Sequence, residues 1–181
     1  MRIVAGRWRG RRLTGLGKGD AAAHLRPTTD RVREAIFNLL MNGHGLDLEG
    51  VRVLDVFAGT GALGLEALSR GAAGATFIER GRTSLAILRQ NVGLLGAEAT
   101  ILARDARRPG AGTPHDLVFL DPPYGQGLGE AALAALHDDG WLAPGATVVW
   151  EEAEAPTLPR FLDRIDDRRY GETTITIARV V

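Results

Sequence analysis

Asp121-Pro122-Pro123-Tyr124 sets a carboxylate, a rigid turn and an aromatic ring side by side. The apolar run before it, Leu117-Val118-Phe119-Leu120, reads as a buried strand. Two prolines stop that strand, since neither can donate to a sheet ladder. The tetrapeptide therefore belongs at a strand's carboxyl end, where an open α/β sheet binds its ligands. A carboxylate beside an aromatic face suits holding a flat base by its exocyclic amine. The same four residues also read as a proline turn with a solvated Asp and a packing Tyr, so the surrounding elements have to decide.

Upstream, Val51-Arg52-Val53-Leu54-Asp55-Val56-Phe57 is rich in β-branched residues and reads as a strand. Ala58-Gly59-Thr60-Gly61-Ala62-Leu63-Gly64 follows, so Gly59, Gly61 and Gly64 fit G-x-G-x-x-G. Leu63, Leu65, Ala67 and Leu68 continue as a short helix that Gly71 can cap. Strand, glycine turn and helix is the context that nucleotide binding requires. Ala75-Thr76-Phe77-Ile78-Glu79 reads as the next strand and ends in an acid 24 residues after Asp55, placed to accept both hydroxyls of a ribose. A dinucleotide would bring a pyrophosphate to the turn and the helix N-terminus. Asp55, just before that turn, disfavours phosphate and favours a cation, such as the α-ammonium of S-adenosylmethionine. It also reads as a strand-end acid that caps local backbone.

The remaining elements alternate. Leu85 to Leu95 reads as a helix ended by Gly96, and Thr100 to Ala103 as a strand followed by Arg104-Asp105-Ala106. Asp105 can meet an adenine amine or act as the N-cap of a turn before Pro109. Leu128 to Leu142 reads as a helix, Ala146 to Glu151 as a strand, and Phe161–Tyr170 with Thr173–Ala178 as a terminal antiparallel pair around Gly171-Glu172. Alternating strands and helices imply a mostly parallel sheet with that hairpin as an antiparallel addition. Val32, Ile36, Leu39 and Leu40 mark an earlier amphipathic helix, with Thr28 or Thr29 as N-cap, Asp30 in its first turn and Gly43 at its end. Its N-terminus is expected to face the cofactor's carboxylate.

The formal net charge is zero, yet residues 1–33 hold nine Arg/Lys (2, 7, 9, 11, 12, 18, 26, 31, 33) against Asp20 and Asp30, a net of +7, and the rest holds 13 basic against 20 acidic, a net of −7. Such asymmetry suggests a basic arm for nucleic acid. Trp8 lies inside the arginine cluster, and aromatic and guanidinium planes stack unpaired bases. Lys18 is the sole lysine. A GC-rich genome accounts for arginine over lysine, but not for the crowding into one segment. At 181 residues one domain is the default. The absence of cysteine excludes disulfides and thiolate metal sites, and the four histidines show no metal-ligand spacing. No apolar run reaches membrane-spanning length and the first residues are no secretory signal, so a cytoplasmic protein is expected.

Asp55-Val56-Phe57-Ala58-Gly59-Thr60-Gly61, Glu79, Asp105-Ala106 and Asp121-Pro122-Pro123-Tyr124 resemble the successive motifs of class I S-adenosylmethionine-dependent methyltransferases, and the tetrapeptide resembles their amino-methylating subset. Arg2 to Leu13 and Arg26 to Asn38 resemble the bacterial 16S rRNA guanine-N2 methyltransferases, so the likeness spans nearly the whole chain. The resemblance implies a Rossmann-like α/β fold, with a mostly parallel seven-stranded sheet, an antiparallel C-terminal hairpin and a short basic N-terminal extension. Residues 1–25 are expected as an RNA-binding arm or hairpin and 26–181 as the methyltransferase domain. The implied reaction transfers methyl from S-adenosylmethionine to the N2 amine of a guanine in the 16S rRNA, in the P-site loop of the small-subunit head. Asp121, Pro122 and Tyr124 are the expected catalytic residues. Asp55, Phe57, Ala58, Gly59, Gly61, Glu79, Arg80, Asp105, Ala106 and Thr28 are expected at the cofactor. Arg2, Arg7, Trp8, Arg9, Arg11, Arg12, Arg26 and Arg33 are expected at the RNA, free or in an assembling subunit, with no metal and a monomeric enzyme. Three other readings stay open at this point: a DNA amine methyltransferase, for whose larger target-recognition region the chain has little room; a protein-glutamine methyltransferase, which reads Asn at position 121; and a non-enzymatic dinucleotide-binding module.

Overall fold

A computed structural model describes residues 1–15 and 29–181 of the chain. In chain order the regular elements are α1 (Asp30–Asn38), β1 (Arg52–Val56), α2 (Ala62–Ser69), β2 (Gly74–Glu79), α3 (Arg82–Leu95), β3 (Ala99–Ala103), β4 (His115–Leu120), α4 (Leu128–Asp138), β5 (Leu142–Glu152), β6 (Leu162–Tyr170) and β7 (Thr173–Val180). Among the described residues they form one seven-stranded sheet of order β3-β2-β1-β4-β5-β7-β6. The first five strands in that order are parallel, and β7 runs antiparallel to both β5 and β6. This is the Rossmann-like methyltransferase fold with its reversed terminal hairpin.

Period-two alternation sorts the strand side chains into two apolar layers. Val53, Phe77, Leu117 and Phe119 join Phe37, Leu65 and Leu88 of α1, α2 and α3 on one face. Leu54, Val56, Ile78, Val118 and Leu120 meet Leu133 and Leu136 of α4 on the other. The chain builds outward from β1 to β3, then crosses back to place β4 on β1's free side. The order reverses between β1 and β4, and the crevice beyond the carboxyl ends at such a reversal is where open α/β sheets bind ligands. Both motifs that carry chemistry end there.

Local signals hold at most boundaries. Thr29, not Thr28, is the N-cap of α1: its hydroxyl accepts from Val32 N at 3.2 Å. The helix continues as a π-helical turn over Leu39–Gly43. Gly96 takes the left-handed conformation that closes α3. The helix expected over 128–142 stops earlier, at Asp138, and Leu142 already belongs to β5. Gly140 turns the chain at φ +79, and His115 N donates to the Trp141 carbonyl at 2.8 Å, so sheet pairing begins where helix periodicity could still be read. Pro144 then lies in the irregular stretch where the β4–β5 register shifts.

Residues 1–13 form a small hairpin with a bridge between Arg2 and Arg12. Its inward residues, Ile3 and Leu13, are buried in the same apolar layer as α1 and α2. Backbone contact fastens it to the end of α2: Arg7 N donates to the Ser69 carbonyl at 2.8 Å, Trp8 N to Ser69 Oγ at 3.0 Å, and Ser69 Oγ to the Ala5 carbonyl at 2.6 Å. Gly6, at φ +80, allows this approach, since a Cβ there would lie 1.8 Å from the Ser69 oxygen.

Candidate active site

The loop after β1 is tightly specified. Phe57 has φ +59, the one non-glycine residue at positive φ among those described, a strained conformation of the kind that concentrates at ligand sites. Ala58 N donates to the Ile78 carbonyl at 3.1 Å, and Gly61 N to the Ala58 carbonyl at 2.7 Å. Gly61 has φ +78, and a Cβ on it would stand 2.4 Å from Leu88 Cδ1. The third glycine of the motif serves packing: a Cβ on Gly64 would meet the Phe77 ring at 2.5 Å.

Asp55 is 2% exposed, and its Oδ2 accepts from Gly64 N at 2.8 Å. That amide lies in the first turn of α2, so an internal carboxylate already takes a donor that a pyrophosphate would need. Burial pushes the Asp55 carboxyl up to about 7; the Gly64 amide opposes this and the charge of Glu79 adds to it. The folded state thus holds a proton that the unfolded state releases between about pH 4 and pH 7. The stability this contributes is complete below that window and is lost as pH rises through it, at up to about 1.4 kcal/mol per unit. Urea unfolding at pH 5 and pH 7.5 is expected to show the loss, and Asp55→Asn to flatten it. Equal slopes in the two proteins would place the titration elsewhere.

Glu79, at the end of β2, is 8% exposed. Its carboxylate accepts from Gly59 N at 2.8 Å, Arg80 N at 2.8 Å and Gly81 N at 2.6 Å. It therefore ties the glycine loop to the turn that follows β2. Asp105, beyond β3, is clamped by Arg107 at 2.6 Å and reached by Arg80 at 3.2 Å. The hydrogen bonds from Arg107 hold its carboxyl far below the usual carboxylate range. Ala106 beside it is buried.

The tetrapeptide follows β4, beside this loop: Val56 pairs with Leu120, and Asp121 N lies 3.4 Å from the Val56 carbonyl. Pro122 is buried, and Asp121 and Tyr124 are half-buried. The Tyr124 hydroxyl donates to Glu151 Oε1 at 3.1 Å and lies 3.0 Å from Thr173 Oγ1. Burial pushes this phenol above its ordinary range, so it stays neutral. Gly125 N reaches Glu152 Oε1 at 3.4 Å. Sequence reasoning missed Glu151, Glu152 and Thr173. The signal for the acids was present, because Glu151 and Glu152 end β5 as Asp55 ends β1 and Glu79 ends β2. A ring used only for stacking would tolerate loss of the hydroxyl. Here Tyr124→Phe removes a partner from Glu151, which is 4% exposed. The expected cost is about 1–3 kcal/mol in stability or in turnover. Melting curves and single-turnover rates check it, and a Phe variant equal to wild type in both would return Tyr124 to a stacking role alone.

The expected RNA residues divide. Arg2, Arg7, Arg9, Arg11 and Arg12 are exposed, and the Arg7 guanidinium lies 4.0 Å above the Trp8 ring. Arg11 donates to the Leu94 carbonyl at 2.8 Å. Arg33 is different. It is wholly buried, pairs with Asp30 at 2.8 Å and Glu66 at 3.4 Å, and donates to the Arg2 carbonyl, so it cannot reach a phosphate. Its long side chain is needed inside, to neutralise the buried Glu66. Arg26 and Thr28 lie outside the described residues.

The chain that carries this glycine loop, these strand-end acids and the Asp-Pro-Pro-Tyr turn also matches known proteins. A family model described as conserved hypothetical protein 95 covers residues 1–179. The ribosomal RNA small subunit methyltransferase D of Escherichia coli K12 is 46% identical over 165 residues, 88% of this chain and 79% of that protein. Its Haemophilus influenzae counterpart is 39% identical over 166 residues, 87% of this chain and 82% of the relative. The chain belongs to the small-subunit rRNA methyltransferase D family. The solved structure of the Escherichia coli protein yhhF superposes with a TM-score of 0.85 at 41% identity, over 99% of this chain and 97% of that one. Family membership makes the chain a small-subunit rRNA methyltransferase.

Proposed function

We propose that this chain methylates the exocyclic N2 amine of a guanine in 16S rRNA, in the P-site loop of the small-subunit head, with S-adenosylmethionine as donor. The observation that carries the reading is the placement of Asp121 and Tyr124 beside the glycine loop, at the point where the sheet order reverses. The relatives are methyltransferases of small-subunit rRNA, and this supports the substrate class.

The donor set fits this cofactor better than a dinucleotide. Asp55 occupies the helical amide a phosphate would seek, and a cationic ammonium brought beside it would favour its ionised form. Glu79 would take the ribose hydroxyls, Asp105 and Ala106 would border the adenine, and Gly59 gives open backbone, where beyond its chain neighbours a Cβ would meet only the Phe57 carbonyl oxygen, at 3.9 Å. When bound, the sulfonium supplies an already activated methyl.

The protein's own work is alignment. Guanine N2 is a weak nucleophile because its lone pair is delocalised into the ring. Asp121 and the Pro122 carbonyl accept hydrogen bonds from the NH₂, draw it out of the base plane and aim the lone pair at the methyl. Tyr124 lies along the base, its ring held by Glu151 and Thr173. Such alignment can supply about 7–11 kcal/mol. The base has to leave its stack, so an unpaired nucleotide is the target.

The test is transfer of labelled methyl to unmethylated 16S rRNA, free and in small subunits, followed by nucleoside digestion. N2-methylguanosine is the expected product. Label in adenosine, or in protein glutamine, overturns the reading. For the RNA surface, deleting residues 1–13 would also strip Ile3 and Leu13 from the core, so substitution is the cleaner probe. Arg7→Ala, Arg9→Ala and Arg12→Ala together are expected to leave melting unchanged. They should make log affinity against log salt shallower by about 2, at roughly 0.7 per lost single-strand phosphate contact. An unchanged slope would remove the hairpin from the phosphate-binding surface.

A further inference from the structure

Asn91 lies in the second half of α3 and is 0% exposed, on a helix face otherwise given to Leu88 and Leu95. Its amide is used in full. Oδ1 accepts from Thr14 N at 2.8 Å, and Nδ2 donates to the Thr14 carbonyl at 3.0 Å and to the Thr60 carbonyl at 2.9 Å. One planar group therefore holds both backbone atoms of the strand leaving the N-terminal hairpin and a carbonyl of the glycine loop. Thr60 stands between Gly59 and Gly61, both at positive φ, so its carbonyl direction is set by the loop's particular conformation. A second contact runs the same way: Thr60 Oγ1 lies 3.7 Å from Met1 Sδ.

We infer that Asn91 is a positioning residue that couples cofactor occupancy of the glycine loop to the posture of the RNA-binding hairpin. The inference rests on the proposed roles of loop and hairpin. The physical reason is the rigidity of the amide. Its donors and acceptor lie in one plane at fixed angles, and Asn91 itself is fully buried, so losing a partner leaves a buried amide atom unpaired. A ligand that fixes the Thr60 carbonyl fixes the amide plane, and the amide plane fixes Thr14. An amide that merely satisfies buried backbone groups has a different consequence: its loss lowers stability without linking the two ligands. Linkage is reciprocal, so RNA must tighten the cofactor by the same factor as the cofactor tightens RNA.

The experiment measures binding of a 16S rRNA transcript with and without saturating S-adenosylhomocysteine, and of S-adenosylhomocysteine with and without the transcript. Wild type is expected to show the same factor in both directions, about fivefold or more. Asn91→Ala, verified as folded by its melting transition, is expected to bring the factor to within twofold of one. Thr14→Pro gives a second route, since it deletes the hairpin-side donor while Asn91 and its bond to Thr60 remain. It should lose coupling with the cofactor affinity of the RNA-free protein intact. Independent binding of the two ligands to wild type overturns the inference, as does coupling retained in both variants. Failure of wild type to bind S-adenosylhomocysteine at all is a different result: it overturns the cofactor reading itself and the inference with it.

Discussion

Asp121→Ala is expected to lower the single-turnover rate of methyl transfer by about 10²–10³-fold or more, the range seen when one preorganised polar group at a reacting centre is removed. Cofactor affinity should stay within about tenfold. In the proposed mechanism this carboxylate meets the base, while the carboxylates that hold the glycine loop are those of Asp55 and Glu79. Its main work is in the transition state, where the amine leaves the plane of the base, so the loss should fall on kcat more than on KM. Asp121 is only half-buried, so truncation should leave no large cavity and the variant should fold. Asp121→Asn sharpens the test. It keeps the shape and one acceptor oxygen but removes the charge, so its rate should fall between those of Ala and wild type. An Ala variant within tenfold of wild type at saturating RNA and cofactor would assign the amine to another acceptor.

Glu66→Ala should be the most destabilising change away from the crevice. Glu66 is 0% exposed, and its two oxygens receive Val4 N at 2.8 Å, Ala5 N at 2.9 Å, Arg70 Nε at 2.8 Å and Arg33 Nε at 3.4 Å. Removing it leaves the buried Arg33 charge with Asp30 as its remaining ion-pair partner and orphans two hairpin amides. Breaking a buried pair in this way costs about 3–5 kcal/mol. For a chain of this size that corresponds to a fall in Tm of roughly 6–20 °C. Glu66→Gln preserves shape but not charge and should fall between the two. Because the lost bonds hold the hairpin, RNA affinity should drop further than cofactor affinity at a temperature where the variant is folded. Urea denaturation decides the first point: a loss under 1 kcal/mol would show that Ile3, Leu13 and the contacts to Ser69 hold the hairpin without Glu66.

The sequence by itself determined what depends on neighbours in the chain. β1, the glycine turn and α2 are legible because a β-branched run, positive-φ positions and an apolar helix follow each other without a gap. Asp121-Pro122-Pro123-Tyr124 is legible because proline ends a strand wherever it falls. The strand-end placement of Asp55, Glu79, Asp105 and Asp121 follows from the same local reading, since a parallel α/β sheet collects all such ends on one rim.

Only the tertiary structure decided which polar side chains turn inward. Arg33 reads as one more arginine of a basic segment and Glu66 as the polar side of a short helix. Each is buried because the hairpin, 61 and 62 residues from Glu66, closes over both. Asn91 gains its role from Thr14 and Thr60, 77 and 31 residues away, and the Tyr124 hydroxyl from Glu151 and Thr173, 27 and 49 residues on. Spacing along a chain encodes which face of an element a residue occupies. Whether water or protein covers that face is decided by what packs there, and for a charged or amide group that choice separates a solvated ornament from a group on which the fold depends.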